Sequence, residues 1–274
     1  MKMKKILLAS GCSFTDENFE SPVHPEMDTS WPKWPELLAN KLDMKCINLA
    51  MNGGGNEYIY SSLLDQILKT KDKSQIGLVI PAWTQCQRKD WQHFSGFPEN
   101  ERWQNTYYQK NGWHCKRIDT DGDVYGWIKK SLRYMISLQI VCERYNIPLK
   151  QFQMLNLFDG WIHGLQKTDA ERIKNKDNPD FIPTYKYQGL NPKKDQAKCQ
   201  QLMLSYDSYI NAENFLGWPT LKIFGGFNVE EETLKDPNKI YPNYLTDLLV
   251  SNLDTHPNAK GQEKITEFLY DRLG

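Results

Sequence analysis

Four short apolar runs constrain this chain more than any other feature: residues 5–9 (KILLA), 46–50 (CINLA), 78–82 (LVIPA) and 149–155 (LKQFQML). Each is apolar on both faces and bounded by turn residues, which suits parallel strands covered on both sides by helices. The segments between them repeat with a helical period. Trp34, Leu37, Leu38 and Leu42 share a face after a Ser30/Pro32 start signal, and Ile59, Leu63, Ile67 and Leu68 share another after Asn56, a candidate N-cap. Leu132, Met135, Leu138, Val141, Cys142 and Tyr145 mark a third helix stopped by Pro148; Ile265, Phe268, Leu269 and Leu273 mark a fourth. Strands alternating with helices predict a doubly wound, three-layer α/β fold with ligands at the carboxyl ends of the strands.

Size and charge narrow the functional classes. A chain of 274 residues can bury a sizeable core, and its 34 Lys plus Arg against 34 Asp plus Glu give no reason to expect a nucleic-acid partner. No apolar stretch approaches the roughly 18 residues of a membrane span, so no membrane partner is expected. Cys12, Cys46, Cys86, Cys115, Cys142 and Cys199 are scattered without paired spacing and read as reduced thiols in a cytosolic setting. The opening "KKILLASGCSF" has the outline of a lipoprotein signal, but its apolar core, Ile6 to Ala9, is short of the roughly 7–15 residues such signals need. It reads instead as a buried strand feeding a turn.

Two stretches break the alternation and are expected as loop insertions over the strand ends, within a single domain spanning 1–274. Residues 85–127 are dense in aromatics, including Trp91, Phe94, Phe97, Trp103, Tyr107, Tyr108, Trp113, Tyr125 and Trp127; residues 159–218 are polar and Lys-rich. Long insertions at such positions usually shape a binding site. The aromatics suit either stacking on sugar rings or a satellite hydrophobic cluster.

The chemistry concentrates at the two ends. In "SNLDTHPNAKG", His256 follows Asp254 by two residues just before the last helix, a placement for a general base whose tautomer a carboxylate fixes. Ser13 follows the first strand at its carboxyl end. A Ser beside a His beside an Asp can attack a carbonyl, provided that N–H donors await the oxyanion. Gly53, Gly54 and Gly55 after the second strand can aim such donors, and Asn56 adds an amide. The same glycines could cradle a phosphate, but no Gly-Lys-Ser/Thr follows, which excludes a P-loop.

Gly-x-Ser after strand one, a glycine turn after strand two and Asp-x-His-Pro before a terminal helix resemble the SGNH (GDSL-type) hydrolases, in particular a divergent bacterial and phage-like branch. The resemblance implies a flavodoxin-like α/β/α fold and a serine esterase. It implies Ser13 as nucleophile, His256 as base, Asp254 as its orienter, and Gly53 with the Ser13 N–H as oxyanion donors. This chain departs from the family pattern at three places. Cys12 stands where the family has Asp; Asp254 is one residue nearer the His than usual; and "IPAWTQCQR" replaces the third motif, leaving Thr84, Gln85, Arg88 or Asn56 as candidates for the missing donor. Cys12 reads as a small buried residue beneath the turn rather than a rival nucleophile.

His93, His114 and His163 are isolated, so no metal or other cofactor is expected. "DTDGDVYG" (residues 119–126) lacks the Glu of a calcium loop and reads as a turn. The expectation is a serine esterase acting on a small-molecule or glycan ester, with O-acetyl groups on a carbohydrate foremost, in the cytoplasm or associated with a virion. The alternatives are a catalytically weak or inactive module of the same fold, such as a virion component, and a nucleotide-binding flavodoxin-like protein.

Overall fold

A computed structural model of the chain describes residues 4–94, 101–102, 108–110, 113–116, 119, 121–158, 192–235 and 247–273. In chain order these form β1 (Ile6–Ser10), α1 (Trp34–Lys41), β2 (Lys45–Asn48), α2 (Asn56–Lys69) and β3 (Ile76–Trp83). Four short strands follow: β4 (Lys89–Phe94), β5 (Glu101–Arg102), β6 (Tyr108–Lys110) and β7 (Trp113–Lys116). Then come α3 (Val124–Arg144), β8 (Gln151–Gln153), α4 (Pro192–Leu204), β9 (Phe215–Leu216), α5 (Val229–Thr233) and α6 (Ala259–Leu273).

All four apolar runs contribute strands, paired in parallel in the order β2-β1-β3-β8-β9. The first strand lies inside the sheet rather than at its edge, so the chain winds in both directions from β1 and β3, the flavodoxin-like arrangement. Alternation along the strands sends side chains to two separate cores. Leu8, Val79 and Trp83 face Ile59, Leu63, Leu132, Met135 and Met203 from α2, α3 and α4. Leu7, Ala9, Leu78 and Ile80 face Trp34, Leu38, Ile265 and Leu269 from α1 and α6. Every residue of β3 is buried, as a central strand with helices on both faces must be. This is a three-layer α/β/α fold.

The helices largely follow the apolar periods, with two local differences. Leu68 is 53% exposed, and Tyr58 takes the place expected for it on the buried face of α2. Asn56 is the first residue of α2 rather than its cap; Gly55 holds the cap position. In α3 the cap is Asp123, whose carboxylate accepts from Gly126 N at 2.7 Å. That accounts for part of the acidic 119–126 stretch, while Asp119 and Asp121 both pair with Lys89.

The two expected insertions are more ordered than their sequences suggest. The aromatic stretch contains a separate antiparallel sheet in the order β5-β4-β7-β6, and its last residues, from Val124, open α3. Trp113 packs edge-on against Tyr58 of α2, with ring centroids 5.1 Å apart, in a small cluster with Met51 and Cys115. The second stretch is corrected at its far end: residues 192–204 form α4 and Phe215–Leu216 forms β9, the fifth strand of the main sheet. A two-residue strand carries too little apolar periodicity to be read in advance. Residues 159–191 of that stretch, with His163, lie outside the described residues. Among the described residues no helix is long and apolar enough to cross a membrane.

Candidate active site

β1 ends in a tight turn. Thr15 and Asp16 both donate their backbone N–H groups to the Cys12 carbonyl, at 2.9 and 3.1 Å, which curls the chain and turns Ser13 away from the strand axis. Cys12 is fully buried in the core beneath. The turn is held from three directions. The Trp34 indole N–H donates to Thr15 Oγ1 at 3.1 Å, Asn48 Nδ2 donates to the Thr15 carbonyl at 2.8 Å, and Gln262 Nε2 donates to the Phe14 carbonyl at 3.1 Å. Gln262 also accepts from Trp34 N at 2.9 Å, so one buried amide ties α6, α1 and the turn together. Nothing in the sequence marks Gln262 for this role beyond a polar residue on the buried face of an amphipathic helix.

The opposite end of the chain enters as a narrow loop before α6. Leu249 bridges Pro257, Val250 N donates to the His256 carbonyl at 2.9 Å, and Ser251 N donates to the Asp254 carbonyl at 3.0 Å. Asp254 and His256 therefore sit at the tip of a closed loop. The His256 Nε2 lies 2.7 Å from Ser13 Oγ, and its Nδ1 lies 2.5 Å from Asp254 Oδ1. The shortened Asp-x-His spacing works because the loop bends back on itself: Asp254 Oδ1 also accepts from His256 N at 3.1 Å. The Phe14 and Phe19 rings lie against the imidazole, at centroid distances of 5.0 and 4.4 Å, and limit its rotation.

A further layer fixes the carboxylate. Ser21 Oγ donates to Asp254 Oδ2 and accepts from His24 N at 2.9 Å. Ser251 Oγ accepts from Asp254 N at 3.0 Å and lies 2.8 Å from His24 Nε2. Burial alone would raise the Asp254 pKa. The attraction of His256 and the hydrogen bonds from His256 and Ser21 outweigh it and hold the carboxyl at about 2. Ser21, His24 and Ser251 escaped the sequence reading because single hydroxyl and imidazole side chains in polar loops carry no periodic signal.

The glycine turn stands beside the nucleophile turn, linked to it by Met51 N donating to the Gly11 carbonyl at 3.1 Å and by Asn52 N donating to Asp16 Oδ2 at 2.6 Å. Gly54 N closes a four-residue turn onto the Met51 carbonyl at 2.8 Å, and Gly53 takes its third position with φ +75°. That left-handed conformation is the one type II geometry demands and glycine adopts most cheaply. Among the described residues the N–H groups of Ser13 and Gly53 have no acceptor in the protein, which leaves both available to a developing oxyanion.

Asn56 is committed elsewhere, which corrects its expected role, while Arg88 and Gln85 are engaged at the glycine turn. Asn56 Nδ2 donates to the Thr84 carbonyl at 3.0 Å and to Ser131 Oγ at 2.9 Å, and Asn56 Oδ1 accepts from Thr84 N at 2.8 Å. Its amide thus pairs with Thr84 as a strand neighbour would, tying α2 to the end of β3. Thr84 is fully buried. Arg88 donates to the Gly54 carbonyl at 2.9 Å and to Gln85 Oε1 at 3.2 Å, so both side chains buttress the glycine turn. Gly53 offers an uncommitted N–H in the turn beside the nucleophile, whereas the Thr84 hydroxyl is buried without a partner.

Trp113 and Trp127 are buried within clusters, and the Tyr125 hydroxyl donates to Asp195 Oδ1 at 2.8 Å. The side chains of Phe94 and Tyr108, and all of Phe97, Trp103 and Tyr107, lie outside the described residues, as do the side chains of His93 and His114.

Together these features define an α/β/α protein with a Ser–His–Asp constellation at the carboxyl end of its first strand. No family model matches the chain, and no curated protein matches it. Among solved structures, the chain is similar to a protein described as lipolytic and of the G-D-S-L family from Desulfitobacterium hafniense DCB-2, at 14% identity and a TM-score of 0.45 over 98% of this chain and 99% of that one. It is also similar to the psychrotrophic esterase EstA from Pseudoalteromonas sp., at 13% identity and a TM-score of 0.43, covering 98% and 96%. A third, described as an SGNH hydrolase from Slackia heliotrinireducens, shares 11% identity with a TM-score of 0.42, covering both chains fully. Likeness at this level adds nothing about chemistry to what the side chains themselves show.

Proposed function

We propose that this chain is a serine hydrolase of the SGNH (GDSL) type that cleaves carboxylic esters through an acyl-enzyme on Ser13. The observation that supports this most is the continuous hydrogen-bonded line from Ser13 through His256 to Asp254, with the uncommitted Ser13 N–H at its nucleophilic end and that of Gly53 in the adjoining turn. His256 Nε2 takes the Ser13 proton as Oγ attacks the ester carbonyl, while Asp254 holds the Nδ1 proton and balances the imidazolium. The Ser13 and Gly53 N–H groups receive the oxyanion. On collapse, His256 returns its proton to the departing alkoxide, leaving Ser13 acylated. Water, deprotonated by His256, then attacks the acyl carbonyl, and a second collapse releases the acid and restores the Ser13 hydroxyl.

Ser13 is only 6% exposed and His256 is flanked by two phenylalanines, which favours a small acyl group such as acetyl. A carbohydrate alcohol partner rests on the aromatics of residues 85–127 other than Trp113 and Trp127, which are buried in clusters. The test is hydrolysis of p-nitrophenyl acetate and of an O-acetylated glycan by wild type, Ser13→Ala and Cys12→Ala. The reading expects turnover by wild type and Cys12→Ala, and a loss of roughly 10⁴-fold or more for Ser13→Ala. No turnover of either substrate by any of the three would overturn it in favour of a catalytically silent module of the same fold.

A further inference from the structure

The glycine turn that presents the Gly53 N–H is held mainly from outside the parallel sheet. On β4 and β7, Asp90 and Cys115 are direct cross-strand partners, so their side chains emerge on the same face. That face meets residues 53–58. The Cys115 thiol sits between the Gly53 carbonyl, to which it donates, and the Asp90 carboxyl, whose Oδ1 and Oδ2 accept from Gly55 N at 2.9 Å and Tyr58 N at 3.0 Å. Asp90 thereby caps the N-terminus of α2 from another element, at a helix start where Gly55 offers no side chain. Arg88, just before β4, takes the Gly54 carbonyl. A side chain at position 55 would put its Cβ 2.6 Å from Asp90 Oδ2, so the close approach of β4 to the turn requires glycine there.

Each peptide flanking the one that carries the Gly53 N–H is therefore bonded to a side chain. Asp16 holds the preceding one through Asn52 N, and Cys115 holds the following one through the Gly53 carbonyl. The peptide between them is left free, and its orientation decides whether the Gly53 N–H points at the nucleophile or away from it. Asp90 and Cys115 are both buried, and neither reaches Ser13, His256 or Asp254 through any hydrogen bond among the described residues.

We propose that the β4–β7 sheet sets the oxyanion donor of this enzyme, with Cys115 and Asp90 as positioning residues for the Gly53 N–H. This rests on the reading of Ser13 as nucleophile. The sheet acts on the transition state more than on the bound substrate, because the oxyanion forms only as the carbonyl is attacked.

The experiment compares wild type, Cys115→Ala, Cys115→Ser and Asp90→Asn of the full chain on p-nitrophenyl acetate, with thermal unfolding of each. Loss of a whole oxyanion donor costs about 10²–10³ in kcat, so a misaligned one in Cys115→Ala should cost roughly tenfold or more, with KM within about twofold of wild type. Cys115→Ser keeps a donor and should recover most of that loss. Asp90→Asn should lose more than Cys115→Ala; if it does not fold, the two Cys115 variants still decide. A second readout is the Gly53 amide resonance in ¹⁵N-glycine-labelled protein phosphonylated at Ser13. It should move downfield in wild type and less so in Cys115→Ala. An unchanged kcat in Cys115→Ala, or no recovery in Cys115→Ser, overturns this inference and leaves the esterase reading standing. A wild type that neither turns over the ester nor takes up phosphonate at Ser13 overturns that reading and this inference with it.

Discussion

The two sheets of this molecule do different work with different chemistry. The parallel sheet is apolar on both faces, and its strands are sandwiched between two separate cores. The antiparallel sheet is built from short strands rich in polar and aromatic residues, and among the described residues it meets the glycine turn and α2 through an acid, a thiol and a tryptophan against Tyr58. The first holds the molecule together and places Ser13. Among the described residues the second contributes little to the main cores, yet it grips the turn proposed to present the oxyanion donor. On the proposal above, stability and fine alignment are divided between the sheets, so that disturbing one should have limited effect on the other.

The sharpest contrast comes from the loop that belongs to neither sheet. Asp254→Asn leaves the bends of the 249–257 loop in place but offers His256 an amide where a carboxylate held its Nδ1 proton. A fall in kcat of about 10³–10⁴ is expected, with little change in the far-ultraviolet spectrum. A fall below tenfold would mean that a backbone group or water orients His256.

A paired measurement then tests the division itself. Leu8→Ala, in the heart of the parallel sheet, should lower unfolding free energy by about 2–5 kcal/mol while the folded fraction keeps its kcat. Trp113→Ala, behind Cys115, should cost less stability but lower kcat, because it loosens the cluster that seats the thiol. The reverse pattern, with activity tracking Leu8 and stability tracking Trp113, would collapse the distinction.

The smallest effect is in acid. The Asp254 carboxyl titrates at about 2, below its usual 3.8, so ionised Asp254 stabilises the fold fully above about pH 4. That contribution, up to about 2 kcal/mol, is lost as the pH falls towards 2. Chemical unfolding at pH 4.5 and 2.5 should show the stability gap between wild type and Asp254→Asn narrowing at the lower value.

The same contrast explains what could be read from the letters alone. The strands β1, β2, β3 and β8 were legible because burial on both faces writes itself as an unbroken apolar run. Ser13, His256 and Asp254 were legible as placements at a strand end and before a helix, positions where topology rather than composition carries the signal. Asn56 misled, because an amide next to a glycine turn looks like a donor to substrate until its backbone partners at Thr84 are seen. Asp90 and Cys115 were invisible: their partnership is a cross-strand register between strands far apart in the chain, and no spacing rule links positions 90 and 115 to position 53. Ser21 and Gln262 were hidden for a related reason, since each acts on a residue more than two hundred positions away.

That separation has a consequence for how the protein comes into being. Ser13 and His256 stand 243 positions apart, and Gln262 ties the Ser13 turn to α6 and α1. Without the 249–257 loop and α6 in place, the Ser13 hydroxyl has no imidazole beside it. On the proposed reading, ester turnover requires α6 docked against the Ser13 turn, so its return during refolding should report that docking.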